Sequence, residues 1–135
     1  MDISTGIFWL ILTVFLEARN QPAVGQKDVT KLILNRAKTK NWPVSNIVFA
    51  RKQFSCYNDG LLNAFSKVVP EIKYIPVVTS NVNEGIEEWN KGDDLKGATH
   101  YFNPDEVPGR WPSTWDKSKM VVLFKEGNHI FLKEI

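Results

Sequence analysis

The sequence has one cysteine, Cys56, so no disulfide can form within the chain and a disulfide-stapled scaffold is excluded. A thiolate-rich metal centre is excluded by the same count. His100 and His129 are far apart and share no ligand spacing with Cys56, so no metal site is expected, and nothing calls for a cofactor. There is no glycine-rich phosphate loop and no nucleophile-elbow pattern. Long hydrophobic runs are also missing. The longest, Gly6 to Leu16, has eleven residues and as a helix would span about 17 Å, too short for a bilayer core. Asp2 precedes it, with no Lys or Arg, and Glu17-Ala18-Arg19 follows in place of a small-residue cleavage site. The run is therefore read as a buried first helix, with no cleaved leader and no stable membrane insertion. Charge of one sign is lacking too: the net charge of +2 is too weak to argue for a nucleic-acid partner.

What is present is an ordinary globular composition, 43% hydrophobic and 24% charged over 135 residues. That length predicts one domain, residues 1–135, with a real core, acting as a monomer. The first helix should run to about Ala18, capped by Ser4 or Thr5. Gln26 to Lys38 carries Val29, Leu32, Ile33 and Ala37 at helical spacing, and Trp42-Pro43 stops it. Ser45 should cap a short turn and Asp59 a helix with Leu61, Leu62, Phe65 and Val68 on one face. Pro70 and Pro76 should bracket an irregular stretch. A helix over Val77 to Lys91 buries Val78, Val82, Ile86 and Trp89, ends at Gly92, and has Glu84, Glu87 and Glu88 outside. Lys27 to Lys52 holds seven basic residues and one acid, either a solvated face or a rim attractive to an acidic polymer.

Gly97 to Trp115 then shows three prolines, two glycines, four aromatics and no helical period; such a segment in a small domain is usually functional. Met120–Phe124 and His129–Leu132 flank Lys125-Glu126-Gly127-Asn128 and read as a β-hairpin. The fold class is α+β, mainly α, with a small C-terminal β element.

Among the carboxylates, Glu17 is unusual because it directly follows an apolar helix. A carboxylate there is costly unless paired or protonated. One reading is a salt bridge to Arg19 or a solvated helix end. The other is a general acid able to protonate a glycosidic oxygen. His100 lies in Ala98-Thr99-His100-Tyr101-Phe102-Asn103, a polar and aromatic strip suited to a sugar, or else partly core. Trp111 and Trp115 could stack on sugars or be core. A Cys56–His nucleophilic pair has no helix start after Cys56 to activate the thiol.

Glu17-Ala18-Arg19, Val29 with Ile33-Leu34-Asn35-Arg36, Pro43, Ile47-Val48 and Gln53-Phe54-Ser55 occur in an order that resembles the SleB-like cell wall hydrolases. That family comprises the catalytic domains of spore-cortex-lytic enzymes, and it also occurs in phage endolysins. Gly97 through Pro104, Trp111 and Gly127 through Phe131 continue the match, which covers most of residues 14–132. Leu16 and Asn20 depart from the family's usual glycines, and no wall-binding repeat is present.

The resemblance implies a lysozyme-like fold and cleavage of peptidoglycan between N-acetylmuramic acid and N-acetylglucosamine. It makes Glu17 the catalytic glutamate. It assigns Gln53, His100, Tyr101 and Asn103 to substrate binding, with Ser55, Trp111, Asn128 and His129 from the other matching motifs. No carboxylate partner for Glu17 is evident; Asp59, Asp105 and Glu106 are candidates. The single glutamate favours a lytic transglycosylase over a hydrolytic muramidase. A peptidoglycan amidase and a non-catalytic glycan- or nucleic-acid-binding module are the rival classes. A phage endolysin, held in the host cytoplasm until the membrane is permeabilised, is the expected setting.

Overall fold

The structure is a computed structural model and describes residues 3–50 and 54–135. Gln53 lies outside these residues. Five α-helices come first: α1 (Ile3–Ala18), α2 (Ala23–Lys40), α3 (Val44–Val48), α4 (Leu61–Val68) and α5 (Ile75–Asn90). A small sheet follows, with β1 (His100–Phe102), β2 (Met120–Glu126) and β3 (His129–Glu134). The class is α+β and mainly α, as the sequence predicts. No helix among the described residues is long and apolar enough to cross a membrane.

The apolar α1 is the central helix. Leu10, Val14 and Phe15 are buried, and the helix touches α2, α3, α4 and α5. It is apolar around most of its circumference because other helices cover it on several sides. Ser4 and Thr5 lie within α1 and not at its cap. α2 presents Val29, Ile33 and Ala37 to the core. It ends where Asn41 turns left-handed, its amide reaching the carbonyls of Ala37 and Lys38. α2 and α5 pack closely at Gly85, where an added Cβ would come within 3.2 Å of the Thr30 side chain.

Several expected caps fall elsewhere. Ser45 sits inside α3, which starts after Pro43. α4 starts after Gly60, at φ +91°, and Asp59 does not cap it. Pro70 and Pro76 occupy the first turns of a 3-10 segment (Val69–Tyr74) and of α5, where a missing N–H costs nothing. The acidic face of α5 is not wholly solvated either. Glu88 turns to α2 and binds Lys27 and Lys31, both at 2.9 Å, and Lys31 also reaches Asp93. Two cations of the basic segment are thereby neutralised within the fold. Their hydrogen bonds hold the Glu88 carboxyl down at about 2.

The sheet order is β1-β3-β2, antiparallel throughout, with an irregularity between Val122 and Phe124. The hairpin joining β2 and β3 is as expected, and Gly127, at φ +58°, makes its turn. β1 departs from the irregular segment expected over Gly97–Trp115. It pairs His100 with Leu132 and Phe102 with Ile130. Tyr101, Phe131 and Phe124 lie on one face of the sheet with Leu32 of α2 and Ala98. His100 and Phe102 take the other face, against Trp115 and, for Phe102, Trp111. This alternation follows from the two-residue period of a strand.

Candidate active site

Glu17 stands one residue from the end of α1, half-buried between the buried Leu16 and Ala18. The pairing reading of Glu17 fails. Arg19 bonds Glu71 through its Nε, and its Nη1 caps the Leu16 carbonyl at 2.9 Å. Among the described residues Glu17 takes part in no ion pair. Its nearest hydrogen-bonding neighbour is Cys56, which follows the Gln-Phe-Ser motif. The Cys56 amide lies 3.4 Å from Glu17 Oε1, and the thiol bonds to the same carboxyl.

Two tyrosines share this surround. Tyr57 packs on the core beside α1 and closes to 2.6 Å from Thr13, whose hydroxyl donates to the Trp9 carbonyl. Tyr101 comes from β1. Burial raises both phenols, and the charge of Glu17 adds to the effect in each. Burial also pushes the Cys56 thiol up to about 12, with Glu17 contributing second. Cys56 is therefore a protonated donor to Glu17 and a poor nucleophile, which removes the physical basis for Cys–His catalysis.

The scaffold behind Glu17 is polar and fully bonded. Gln26, buried in α2, donates to the carbonyls of Ala18 and Gln21, both at 3.2 Å, and accepts from Asn81 of α5 at 2.9 Å. It fixes the end of α1 that carries the carboxyl. Asn35 does the same for β1. Its amide donates to the carbonyls of Asp94 and Ala98, and its oxygen accepts from the Trp89 indole. Arg36 donates to the Thr99 carbonyl and lies over the Phe54 ring. Neither Gln26 nor Asn35 was read as a site residue. An amide inside an otherwise apolar helical stripe was the available signal.

A second carboxyl emerges that sequence reasoning missed. Asp28 of α2 is buried, and its charge, like that of Glu17, acts on Tyr101. Burial, the charge of the neighbouring Glu126 of β2 and a hydrogen bond that protonated Asp28 donates to it raise Asp28 to about 7, against the pull of Lys31.

Of the residues predicted to bind substrate, three gather on this side. Tyr101 faces Glu17. His129 meets the Tyr101 ring edge-on at 5.0 Å. Ser55, exposed, directly precedes Cys56. Asn128 is at the exposed tip of the hairpin. Asn103 caps a 3-10 turn, accepting from the Asp105 amide at 3.0 Å. His100 and Trp111 are not brought to Glu17; they sit on the reverse face of the sheet. There Trp111 donates to the Trp115 carbonyl at 2.9 Å. Among the candidate partner carboxylates, Asp105 is bound to Arg110 at the surface, and Asp59 and Glu106 are exposed.

A profile of the cell wall hydrolase family matches residues 20–132, most of the chain. The chain belongs to the cell wall hydrolase family. Among its curated relatives, the spore cortex-lytic enzyme of Bacillus cereus is 32% identical over 124 residues, 89% of this chain and 41% of the relative. That of Halalkalibacterium halodurans is 32% identical over 120 residues, 87% of this chain and 32% of the relative. The chain thus spans less than half the length of these family members. The fold matches the crystal structure of the catalytic domain of the Bacillus cereus SleB protein, with a TM-score of 0.63 and 27% identity. That match covers 96% of this chain and 91% of the other. The family profile begins three residues beyond Glu17, so the catalytic reading of Glu17 rests on its surroundings and on the Glu-Ala-Arg motif.

Proposed function

We propose that this chain cleaves the glycan strands of peptidoglycan between N-acetylmuramic acid and N-acetylglucosamine, as a lytic transglycosylase with Glu17 as its one general acid–base group. The observation that carries the reading is the Glu17 carboxyl itself: half-buried at the end of α1, 3.4 Å from the Cys56 amide, with no cation paired to it among the described residues. A carboxyl in that position, with no ion-pair partner, is available to act on a substrate as a general acid.

In the first step Glu17 protonates the glycosidic oxygen as the bond from the muramic-acid C1 breaks. The substrate's own N-acetyl oxygen stabilises the cationic C1. The muramic-acid C6 hydroxyl then attacks C1, and its proton returns to Glu17. The products are a 1,6-anhydro end and a free N-acetylglucosamine end, with no water consumed. We assign the orienting of the sugar to Tyr101 and His129, on β1 and β3, and to Ser55 and Gln53 of the Gln-Phe-Ser motif.

The hydrolytic alternative requires a second carboxylate as nucleophile or base. Asp28, whose charge also acts on Tyr101, is the other candidate, but it is buried and hydrogen-bonded to Glu126, which keeps it from reaching a water or a sugar. This favours the single-glutamate route.

Mass spectrometry of the soluble fragments from purified peptidoglycan tests the reading. Fragments ending in 1,6-anhydromuramic acid are expected. Reducing muramic-acid ends would make the chain a muramidase, and freed stem peptides an amidase. On the same footing we place the chain as a phage-type endolysin. Expressed in a bacterium, it should cause lysis only when a membrane-permeabilising protein is expressed with it; lysis without one would contradict this.

A further inference from the structure

The reverse face of β1 borders a cavity that the chemistry at Glu17 does not use. It measures about 640 Å³, within the size range of small-ligand sites. Its walls include Lys40 and Trp42 from the end of α2, His100 of β1, and Trp115 and Lys119 from the segment before β2. Glu17, Cys56 and Tyr101 are not among them. Because strand residues alternate, Tyr101 packs with Phe131 and Leu32 on one face and His100 faces this second space.

The lining has the chemistry of an acidic sugar site. Trp42 and Trp115 offer flat, partly exposed faces. The carboxylates in the wall are engaged. Asp116 accepts from the amide and hydroxyl of Ser118, and the charge of Glu134 acts on Arg36. Lys40 and Lys119 are exposed and take part in no ion pair among the described residues. Lys40 rests over the Trp42 ring, its Nζ 5.2 Å from the centroid, so cation and aromatic face stand together.

Thr99 Oγ1 accepts from the Glu134 amide and shares a hydrogen bond with His100 Nδ1, both at 2.9 Å, which fixes the ring against the strand. Burial, with Arg36 and Lys40 nearby, lowers this imidazole to about 3, so it stays uncharged.

We infer that this cavity is a second binding site, whose lining does not include Glu17, for a carboxylate-bearing saccharide unit of the wall polymer. The sugar would lie against Trp42 and Trp115, and its carboxylate substituent would meet Lys40 and Lys119. In a peptidoglycan strand such a unit is a muramoyl residue with its stem peptide. The site would hold the enzyme to the wall while Glu17 acts on a strand elsewhere. The identity of the polymer rests on the proposed function; the ligand chemistry rests on the lining.

Muramoyl dipeptide, which has one sugar, one carboxylate and no glycosidic bond for a muramidase to cut, separates the two. Titrated into the isotope-labelled protein at millimolar concentration, it should shift the indole N–H signals of Trp42 and Trp115 and leave Tyr57 and Tyr101 unmoved. The uncharged N-acetylglucosamine dimer should bind this face at least tenfold more weakly. The double variant Lys40→Glu/Lys119→Glu, changed only at exposed positions, should lose binding of the dipeptide at least tenfold. Its sedimentation with insoluble peptidoglycan stripped of phosphate polymers should fall likewise, while turnover of short soluble glycan chains stays within twofold of the parent.

Shifts centred on Tyr101 and Tyr57, equal binding of the uncharged dimer, or unchanged binding by the double variant would each overturn the inference. Dipeptide binding as expected, in a protein that cuts no glycan, would sink the proposed activity and leave this site standing.

Discussion

Asn35→Ala should destabilise the protein far more than a surface change, because one buried amide satisfies three partners. Its Nδ2 donates to the carbonyls of Asp94 at 2.8 Å and Ala98 at 2.7 Å, and its Oδ1 accepts from the Trp89 indole at 2.8 Å. Alanine leaves two carbonyls and one N–H without those bonds. A buried polar group stripped of its partner costs about 1–3 kcal/mol. Ala98 is fully buried and carries the full penalty, whereas Asp94 and Trp89 are half-exposed and gain some relief from water. The sum is about 3–5 kcal/mol. For a domain of this size that corresponds to a fall in Tm of roughly 10–20 °C. Urea unfolding followed by circular dichroism measures it directly.

Trp89→Phe removes only the indole donor and should cost about 1–2 kcal/mol. In the double variant the losses should be less than additive, because the two changes share one bond. A loss below about 1 kcal/mol for Asn35→Ala would refute the reasoning, as would strict additivity.

Two further outcomes follow from the groups around Glu17. Cys56, held near 12 by burial and Glu17, should react with a maleimide at pH 8 at least tenfold more slowly in the native protein than in urea; equal rates would contradict its placement. Asp28, raised to about 7 by burial and Glu126, binds its proton more tightly folded than unfolded, so wild-type stability should fall as pH rises from about 4 to 7. Asp28→Asn should flatten that slope and be the more stable protein at pH 8, as read from urea midpoints across pH; an unchanged slope would show that Asp28 does not titrate as described.

The helices were legible because their signal is local. Val29, Ile33 and Ala37, or Val78 and Val82, recur at the helical period whatever packs on them. The hairpin was legible for the same reason, with alternation on both sides of Gly127. The caps were not, since Pro43 and Gly60 set the starts of α3 and α4 through backbone conformation and need no capping side chain. β1 escaped notice because three residues are too few to show a period; its pairing with β3 is what makes it a strand.

The site divides in the same way. Glu17 stood out because a carboxylate after an apolar run is costly. Asp28 did not, because in a helix rich in Lys it reads as solvated; its burial, with Glu126 of β2 beside it, comes from the tertiary fold. The His100-Tyr101 pair read as one sugar-binding strip, but a strand sends adjacent residues to opposite faces. Knowing that β1 was a strand would have separated them.

The most direct measurement of the central claim is the lysis rate of purified peptidoglycan by the Glu17→Gln variant beside the parent protein, with circular dichroism confirming that the variant is folded. Loss of general acid–base catalysis at this position should lower the rate by about 10²–10⁴-fold. A folded Glu17→Gln protein that lyses peptidoglycan within a few-fold of the parent would contradict it.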